Sequence, residues 1–325
     1  MISIMDVYTV KYHTRFTALI FTLLCMITLN LLPQNCAANP QFAWEFDGNK
    51  AFEHLTRQAD MGPRIPGFSG HRKCSDYIAE HVKASSCTVE IQRFSAQNPL
   101  LRRTLPYENI IAFFDTPSTS AIAISAHWDT RPHADQDHEE SNRRIPIIGA
   151  NDGASGVAVL LELARIFKKN PPPVDVWFLF FDAEDSGTPQ QISKYCLGSQ
   201  YFVKNMPENF DILVGINVDM VADKNLKLQI ERNSLRNAQE YVRDFWGVGT
   251  EKFPDVFQKQ LIPPIYDDHV PFIEAGIPYF NIIDLDYKYW HTVDDTAENC
   301  SAESLDIVGK TIALWVFTSL EKKVE

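Results

Sequence analysis

One helix–strand unit near the middle of the chain constrains the fold more than any other part of the sequence. Residues 153–169 predict a helix with a broad apolar face, and the three prolines at 171–173 end it. Residues 174–181 follow as a strand that is apolar except for Asp175. Such an alternation is typical of an α/β fold, in which helices cover both faces of a largely parallel sheet.

The remaining segments continue this alternation. Further helices are predicted over residues 47–60, 70–84, 193–204, 233–245 and 302–320, and strands over residues 89–91, 110–114, 121–126, 212–218, 226–230 and 278–285. Residues 131–144 are polar and are predicted to form an exposed loop. We therefore predict an α/β fold in which residues 39–325 form a single domain, with a central, mostly parallel mixed β-sheet flanked by helices on both faces.

Residues 1–38 are predicted to be a signal peptide or a membrane anchor. Two basic residues precede an apolar run over residues 16–32, and Ala37-Ala38 follow it, which is the layout of a secretory signal. The run has ~17 residues, so an uncleaved anchor at the short edge of a membrane span is one alternative. Lipid attachment at Cys36 is another. Each interpretation predicts export, so the protein would be secreted or periplasmic.

Four cysteines lie beyond the leader, namely Cys74, Cys87, Cys196 and Cys300. In an exported chain they permit up to two disulfides. Cys74 and Cys87 are close in sequence, so we expect this pair. The chain contains no Cys-x-x-Cys, and a thiolate metal site is therefore not expected.

Metal-competent side chains follow the predicted strands at five points. His127-Trp128-Asp129 follows residues 121–126, and Asp152 follows the apolar residues 147–149. Glu184-Asp185 follow residues 174–181, and Asp219 follows residues 212–218. His291 follows residues 278–285 after a short loop. In an open parallel sheet, ligands bind beyond the carboxyl ends of the strands. Carboxylate plus imidazole is the ligand set of catalytic zinc sites that keep one position open. The sequence therefore predicts a zinc site at this edge.

Each of these residues taken alone also has a structural interpretation. Asp152 lies in Asn151-Asp152-Gly153 and could form only a turn and the N-cap of the next helix. Asp219 could be another cap, and Asp267-Asp268-His269 could cap a helix that begins near Val270. Taken together, the five positions favour the functional interpretation.

Six motifs come in the order found in the zinc-dependent M28 peptidase clan, which the chain resembles from about Ala51 to Leu320. They are His127-x-Asp129, Gly149-Ala150-Asn151-Asp152-Gly153-Ala154-Ser155-Gly156, Glu184-Asp185, Asp219, Asp267-Asp268-His269 and Trp290-His291-Thr292. Within the clan the sequence looks most like the glutaminyl-peptide cyclotransferase (glutaminyl cyclase) family. Phe180-Phe181-Asp182 and Leu197-Gly198-Ser199 are further points of similarity.

The resemblance to the cyclases implies a single zinc and a proton carrier. Asp152, Asp185 and His291 would ligate the zinc, which would polarise the γ-carbonyl of an N-terminal glutamine. Glu184 would take a proton from the attacking α-amine and deliver it to the departing ammonia. The product would be an N-terminal pyroglutamate.

The resemblance also implies two further catalytic carboxylates and a substrate-binding tryptophan. Asp219 and Asp267 would lie close enough to share a proton, which would raise one pKa. Trp290 would form the wall of a tight, apolar pocket. Substrates would be peptides or proteins with an N-terminal glutamine. The formal net charge of −12 argues against nucleic acid as a partner, and we expect a monomer.

A two-zinc aminopeptidase of the same clan is the alternative function. His127 and Asp219 would be the additional ligands of a second zinc, and both are present. Residues 149–156 look more like a peptidase than a cyclase, and Asp185 stands where the animal cyclases have Glu. A third hypothesis is a catalytically inactive binding domain on this fold, against which the intact Glu184 argues.

Overall fold

Eight α-helices and eight β-strands lie within residues 40–320, the part of the chain that this computed structural model describes. The helices are α1 (Gly48–Asp60), α2 (Ser69–Ala84), α3 (Ala154–Lys169), α4 (Leu197–Lys204), α5 (Arg232–Asn237), α6 (Gln239–Lys252), α7 (His269–Glu274) and α8 (Ala302–Trp315). The strands are β1 (Thr88–Asn98), β2 (Arg103–Phe114), β3 (Ala121–His127), β4 (Asp175–Phe181), β5 (Val214–Asp219), β6 (Leu228–Glu231), β7 (Phe257–Ile262) and β8 (Tyr279–Ile283).

Six of the strands form one mixed sheet in the order β1-β2-β4-β3-β5-β8. Strands β4, β3, β5 and β8 run parallel, whereas β1 and β2 form an antiparallel hairpin whose second strand pairs antiparallel with β4. Strands β6 and β7 pair separately in parallel. The predicted α/β fold with a mostly parallel mixed sheet is confirmed.

Strand β4 is covered on both faces. Leu179 and Phe181 pack in one cluster with Phe272 of α7, while the ring of Phe178 lies 6.1 Å from that of Phe167 of α3. Successive side chains of a strand point to opposite faces of its sheet. A strand that is apolar at nearly every position is therefore buried between two layers of helices, as predicted.

Several predicted elements differ from the structure. Residues 147–149 form a loop rather than a strand, because the carbonyls of Ile148 and Gly149 accept hydrogen bonds from the buried guanidinium of Arg64 (2.5 and 2.6 Å). The helix predicted over residues 233–245 is two helices, α5 and α6, separated at Ala238 by a non-helical backbone (φ −131°, ψ 39°). Strand β7 was not predicted.

The segment over residues 131–144 is only partly exposed. Arg131, Ala134 and Asp137 are buried, and Asp137 Oδ2 accepts the backbone N–H of Val293 (3.0 Å). The prediction of an exposed loop is therefore wrong at these positions, because the segment is held against the loop that carries His291.

The expected disulfide is not formed. Cys74, Cys87, Cys196 and Cys300 are all free and buried. Helix α2 continues from Cys74 to Ala84, a rise of about 15 Å at about 1.5 Å per residue, and Cys87 lies beyond its end. The Cα atoms of a disulfide usually lie about 4.4–6.8 Å apart. The predicted Cys74–Cys87 pair is therefore wrong.

The predicted leader, residues 1–38, lies outside the described residues. Within residues 40–320, no helix combines the length and the apolar character needed to cross a membrane.

Candidate metal centre and active site

Three parallel strands deliver acidic and imidazole side chains to one edge of the sheet. His127 is the last residue of β3 and pairs in register with Phe181, the last residue of β4. Glu184 and Asp185 follow β4 in a turn of 3-10 helix, and Asp219 ends β5. The predicted convergence of these residues at the carboxyl edge is present in the structure.

Asp152 and His291 reach this edge from loops. Asp152 comes from the loop before α3, so the expectation that it follows a strand is wrong. Its backbone N–H and that of Asn151 donate to the two carboxylate oxygens of Asp295 (3.1 and 2.8 Å). The hydroxyl of Tyr287 also donates to Asp295 (2.8 Å). Asp295 thereby ties the Asp152 turn to the loop after β8, which carries His291.

The candidate ligand residues form two groups that share Asp152. In the His291 half-site, composed of Asp152, Asp185 and His291, Nε2 of His291 lies 3.4 Å from Asp152 Oδ2 and 3.1 Å from Asp185 Oδ1. In the His127 half-site, composed of His127, Asp152 and Asp219, Nε2 of His127 lies 3.2 Å from Asp152 Oδ1 and 3.2 Å from Asp219 Oδ1. One oxygen of Asp152 therefore faces each half-site, so Asp152 would be available as a ligand in either one.

The two half-sites fit a metal ion by chemistry and by geometry. Within each, the donor atoms lie within 4.8 Å of one another. Asp152 Oδ2 and Asp185 Oδ2 are buried without a hydrogen-bond partner among the described residues. A buried acceptor left unpaired is costly, and a cation would satisfy both oxygens. Carboxylates and imidazoles are ligands that zinc takes.

The pKa values of the His291 half-site also indicate that a positive charge would be stabilised there. Burial, followed by the charge of Asp185, raises the pKa of Asp152 to about 7. Burial alone would raise the pKa of Asp185, but His291 outweighs it and lowers that pKa to about 2. Burial alone would lower the pKa of His291, but Asp185 and Asp135 raise it to about 9. A divalent cation would take the place of the protons held here.

Asp129 contacts both His127 and the turn that carries Glu184 and Asp185. Nδ1 of His127 lies 3.3 Å from Asp129 Oδ1, and the backbone N–H groups of Glu184 and Asp185 donate to the two oxygens of Asp129 (3.0 and 3.3 Å). A carboxylate behind a ligand histidine fixes the orientation of the ring. Asp129 therefore connects the His127 half-site to the turn that carries the predicted proton carrier.

Glu184 lies between the candidate metal ligands and Cys196. Its carboxylate is within 4.8 Å of ligand atoms of His127 and Asp185, and Oε1 accepts a hydrogen bond from the Cys196 thiol (3.3 Å). Burial, followed by the charge of Asp185, raises the pKa of Glu184 well above its ordinary value. A raised pKa makes a carboxylate a better proton acceptor, as a proton carrier requires.

Asp267 is held by amide groups. Its Oδ1 accepts from Asn217 Nδ2 (3.0 Å) and its Oδ2 from Asn281 Nδ2 (2.6 Å). Burial, followed by the charge of Asp219, raises the pKa of Asp267 to about 6. That direction agrees with the predicted influence of one carboxylate on the other, while Asp219 itself faces His127. The catalytic roles of both residues remain predictions.

A cavity of about 500 Å³ opens beside the candidate metal ligands and Glu184. Its apolar and aromatic wall includes Ile192, Tyr195, Tyr266, Leu285 and Trp290. The indole of Trp290 stacks on the His291 ring, with centroids 4.0 Å apart and an interplanar angle of 27°, and is 42% exposed. The cavity thus combines an acidic floor with apolar sides.

Left-handed backbone conformations concentrate at this site. Among residues 40–320, four of the six non-glycine residues with positive φ adjoin it, namely Ala183 (62°), Cys196 (54°), Met220 (47°) and His291 (53°). Such conformations are uncommon for residues other than glycine and cluster at functional sites. Nothing in their residue types distinguished these positions in the sequence.

A family model described as Peptidase family M28 matches residues 109–316, which include both half-sites, Glu184 and Trp290. The chain therefore belongs to peptidase family M28. The predicted resemblance to this zinc-dependent clan is confirmed.

Proteins with two different activities are similar to the chain. The crystal structure of Tannerella forsythia glutaminyl cyclase matches with a TM-score of 0.80 and 35% identity, over 84% of this chain and 99% of that one. Aminopeptidase YwaD of Bacillus subtilis (strain 168) is 30% identical over 86% of this chain, which spans 59% of that protein. Glutaminyl-peptide cyclotransferase of Drosophila melanogaster is 23% identical over 82% of this chain and 80% of its own length. Similarity alone therefore leaves two activities to distinguish.

Proposed function

We propose that the protein is a zinc-dependent glutaminyl-peptide cyclotransferase, which converts N-terminal glutamine to pyroglutamate and releases ammonia. The position of Trp290 carries the proposal, because its ring stacks on His291 and forms one wall of the apolar cavity. For ring closure the α-amine must approach the side-chain amide of the same residue. A confined pocket that holds this folded conformer brings the reacting atoms together.

In this proposal Asp152, Asp185 and His291 hold the zinc. When bound, zinc supplies a Lewis acid at the floor of the cavity. The apolar wall that includes Ile192 and Trp290 would bind the glutamine and limit the access of water.

Glu184 would carry the proton. A bond forms between the α-nitrogen and the side-chain carbonyl carbon, and the bond from that carbon to the amide nitrogen breaks. Glu184 accepts the proton that the α-amine loses and returns it to the departing nitrogen, which leaves as ammonia. Asp267 lies within 4.8 Å of Glu184 and would exchange a proton with it. Asp219 would hold His127 in place beside the site.

A two-zinc aminopeptidase is the second candidate. The complete His127 half-site and the two-sided position of Asp152 favour it, as does the similarity to an aminopeptidase. Glu184 would then accept its proton from the attacking water, and the product would be a free N-terminal amino acid.

Two measurements separate the candidates. Metal analysis of the purified protein should give about one zinc per chain for the cyclase and about two for the aminopeptidase. Ammonia release from Gln-initiated peptides is measured beside hydrolysis of a Leu-anilide, with Glu184→Gln as the inactive control for both reactions. Rapid Leu-anilide hydrolysis without pyroglutamate would replace the cyclase with the aminopeptidase.

We further propose that residues 39–325 form the catalytic domain and that residues 1–38 direct the export of a monomer. The predicted cleavage region contains Ala37-Ala38. N-terminal sequencing of the protein from cell fractions would test this, since an intact Met1 in the cytoplasmic fraction contradicts export.

A further inference from the structure

Buried Arg131 and partly exposed Asp135 form an ion pair directly behind the His291 half-site. Arg131 is 1% exposed. Its guanidinium donates two parallel hydrogen bonds to Asp135, from Nε to Oδ1 (2.9 Å) and from Nη2 to Oδ2 (2.6 Å). A two-point bond between Arg and a carboxylate fixes the orientation of both groups.

Each member of the pair reaches a different ligand of the half-site. Asp135 Oδ1 lies 3.2 Å from Nδ1 of His291, the ring nitrogen that faces away from the other ligands. Arg131 Nη1 donates to the backbone carbonyl of Asp185 (3.2 Å) and lies 3.6 Å from its Oδ1. Since His291 Nε2 and Asp185 Oδ1 are 3.1 Å apart, the four side chains form a closed ring.

The remaining donors of Arg131 are also engaged. Nη1 donates to the carbonyl of Gly187 (3.3 Å) and Nη2 to the hydroxyl of Tyr195 (3.4 Å). The guanidinium carbon lies 5.5 Å from the centre of the Tyr195 ring, and Tyr195 lines the substrate cavity. Arg131 is therefore fixed on every side.

The other half-site is supported in a different way. Asp129 stands behind His127 and is held by the backbone N–H groups of Glu184 and Asp185. The support of His291 comes instead from one side-chain ion pair in the polar loop. A single substitution can therefore alter the support of the His291 half-site and leave that of His127 in place.

We infer that Arg131 and Asp135 are positioning residues that give the His291 half-site its affinity for zinc. The negative charge of Asp135, 3.2 Å from Nδ1 of His291, favours the ring proton on that nitrogen and leaves the lone pair of Nε2 toward the metal. Arg131 holds Asp135 in that position and fixes Asp185 through its backbone. The inference rests on the ligand set of the proposed function, but not on the choice between cyclisation and hydrolysis.

The test measures the zinc affinity of the purified protein by competition with a chromogenic chelator. Asp135→Asn keeps the shape of the side chain but removes its charge, and should weaken zinc binding by about 10- to 100-fold. Arg131→Lys should weaken it in the same direction, because lysine cannot form the two-point bond. If two ions bind, one of the two affinities should fall.

Asp137→Asn is the matched control. Asp137 lies in the same loop and is buried, but its carboxylate accepts the backbone N–H groups of Val293 (3.0 Å) and Glu139 (2.9 Å). Asparagine keeps one oxygen that can accept the N–H of Val293, so the contact with the His291 loop is retained and this variant should bind zinc as the unmodified protein does. Melting curves of the zinc-stripped proteins check the fold, and the partly exposed Asp135 side chain makes the amide substitution tolerable.

Two results would overturn the inference. One is an Asp135→Asn protein that binds zinc as tightly as the unmodified protein. The other is equal weakening by Asp137→Asn, which would assign the effect to the loop as a whole. Because no substrate is present, a protein that proves to be an aminopeptidase leaves this test unaffected.

Discussion

The thiol of Cys196 donates a hydrogen bond to the carboxylate of Glu184, with 3.3 Å between Sγ and Oε1. The backbone N–H of Cys196 also donates to the carbonyl of Glu184 (2.9 Å). Burial raises the pKa of the Cys196 thiol well above its ordinary value, so the group keeps its proton at neutral pH. Cys196 therefore holds the proposed proton carrier through its main chain and its side chain.

Replacing Cys196 should reveal this contact. Cys196→Ala removes the donor and should lower kcat by roughly three- to tenfold, the effect of losing one modest hydrogen bond from a weak donor. Cys196→Ser keeps a donor and should retain most of the activity. The comparison uses ammonia release with zinc content as the control, and equal kcat values for the two variants would contradict a role for the hydrogen bond.

Glu184→Gln should abolish proton transfer while leaving the metal in place. The amide has nearly the same shape but cannot accept the proton, so turnover should fall by about 10²- to 10⁴-fold. Zinc content is measured on the same preparation. Loss of zinc together with activity would show that Glu184 is a ligand rather than the base.

Zinc binding to the stripped protein should strengthen as the pH rises. The pKa of His291 is raised to about 9 and that of Asp152 to about 7, and both groups must lose a proton to bind zinc. Affinity should therefore increase up to about pH 9 and level off above it, as chelator competition would measure. A pH-independent affinity would contradict these pKa values.

The same shifts give the opposite trend for the stability of the stripped protein. A folded-state pKa above the unfolded value contributes stability that is present below the unfolded pKa. For His291 this contribution is lost as the pH rises through about 9. Melting temperatures of the stripped protein should therefore decline over that range, and a rise with pH would contradict the sign.

Trp290→Ala should affect the substrate more than the fold. The side chain is 42% exposed, so its removal should change the melting temperature little. Loss of its ring contacts should lower kcat/KM for Gln-peptides by about tenfold, which corresponds to the upper end of the free energy of an aromatic contact. Trp290→Phe is the matched control and should retain most of the activity. An alanine variant with unchanged kcat/KM would remove the main support for cyclisation.

The parts of the fold that were predicted correctly follow from local sequence. Residues of β4 are apolar on both faces, and only a doubly covered strand accommodates them. Residues 147–149 begin with two isoleucines, yet the carbonyls of Ile148 and Gly149 accept hydrogen bonds from Arg64, in a distant part of the chain, instead of from a neighbouring strand. The predicted helix over residues 70–84 already separated Cys74 from Cys87, so closeness in sequence was a poor guide to a disulfide.

The site was predictable where residue type and strand position coincide. Asp185 and His291 carry metal-competent groups just beyond strands, and the structure brings them together. Arg131 and Asp135 lie in a segment whose composition is that of a surface loop. Their importance depends on contacts with His291, far away in the chain, and no local pattern contains that information.

The distribution of the ligands along the chain has a consequence for folding. Asp152 precedes α3, whereas His291 follows β8 at the far edge of the sheet. The His291 half-site therefore cannot form before β8 has paired with β5. A folding intermediate without β8 in the sheet lacks this half-site. Zinc bound at the His291 half-site would stabilise the finished sheet over forms in which β8 has not docked. Metal uptake at the His291 half-site during refolding would thus report the fraction of molecules in which β8 is in place.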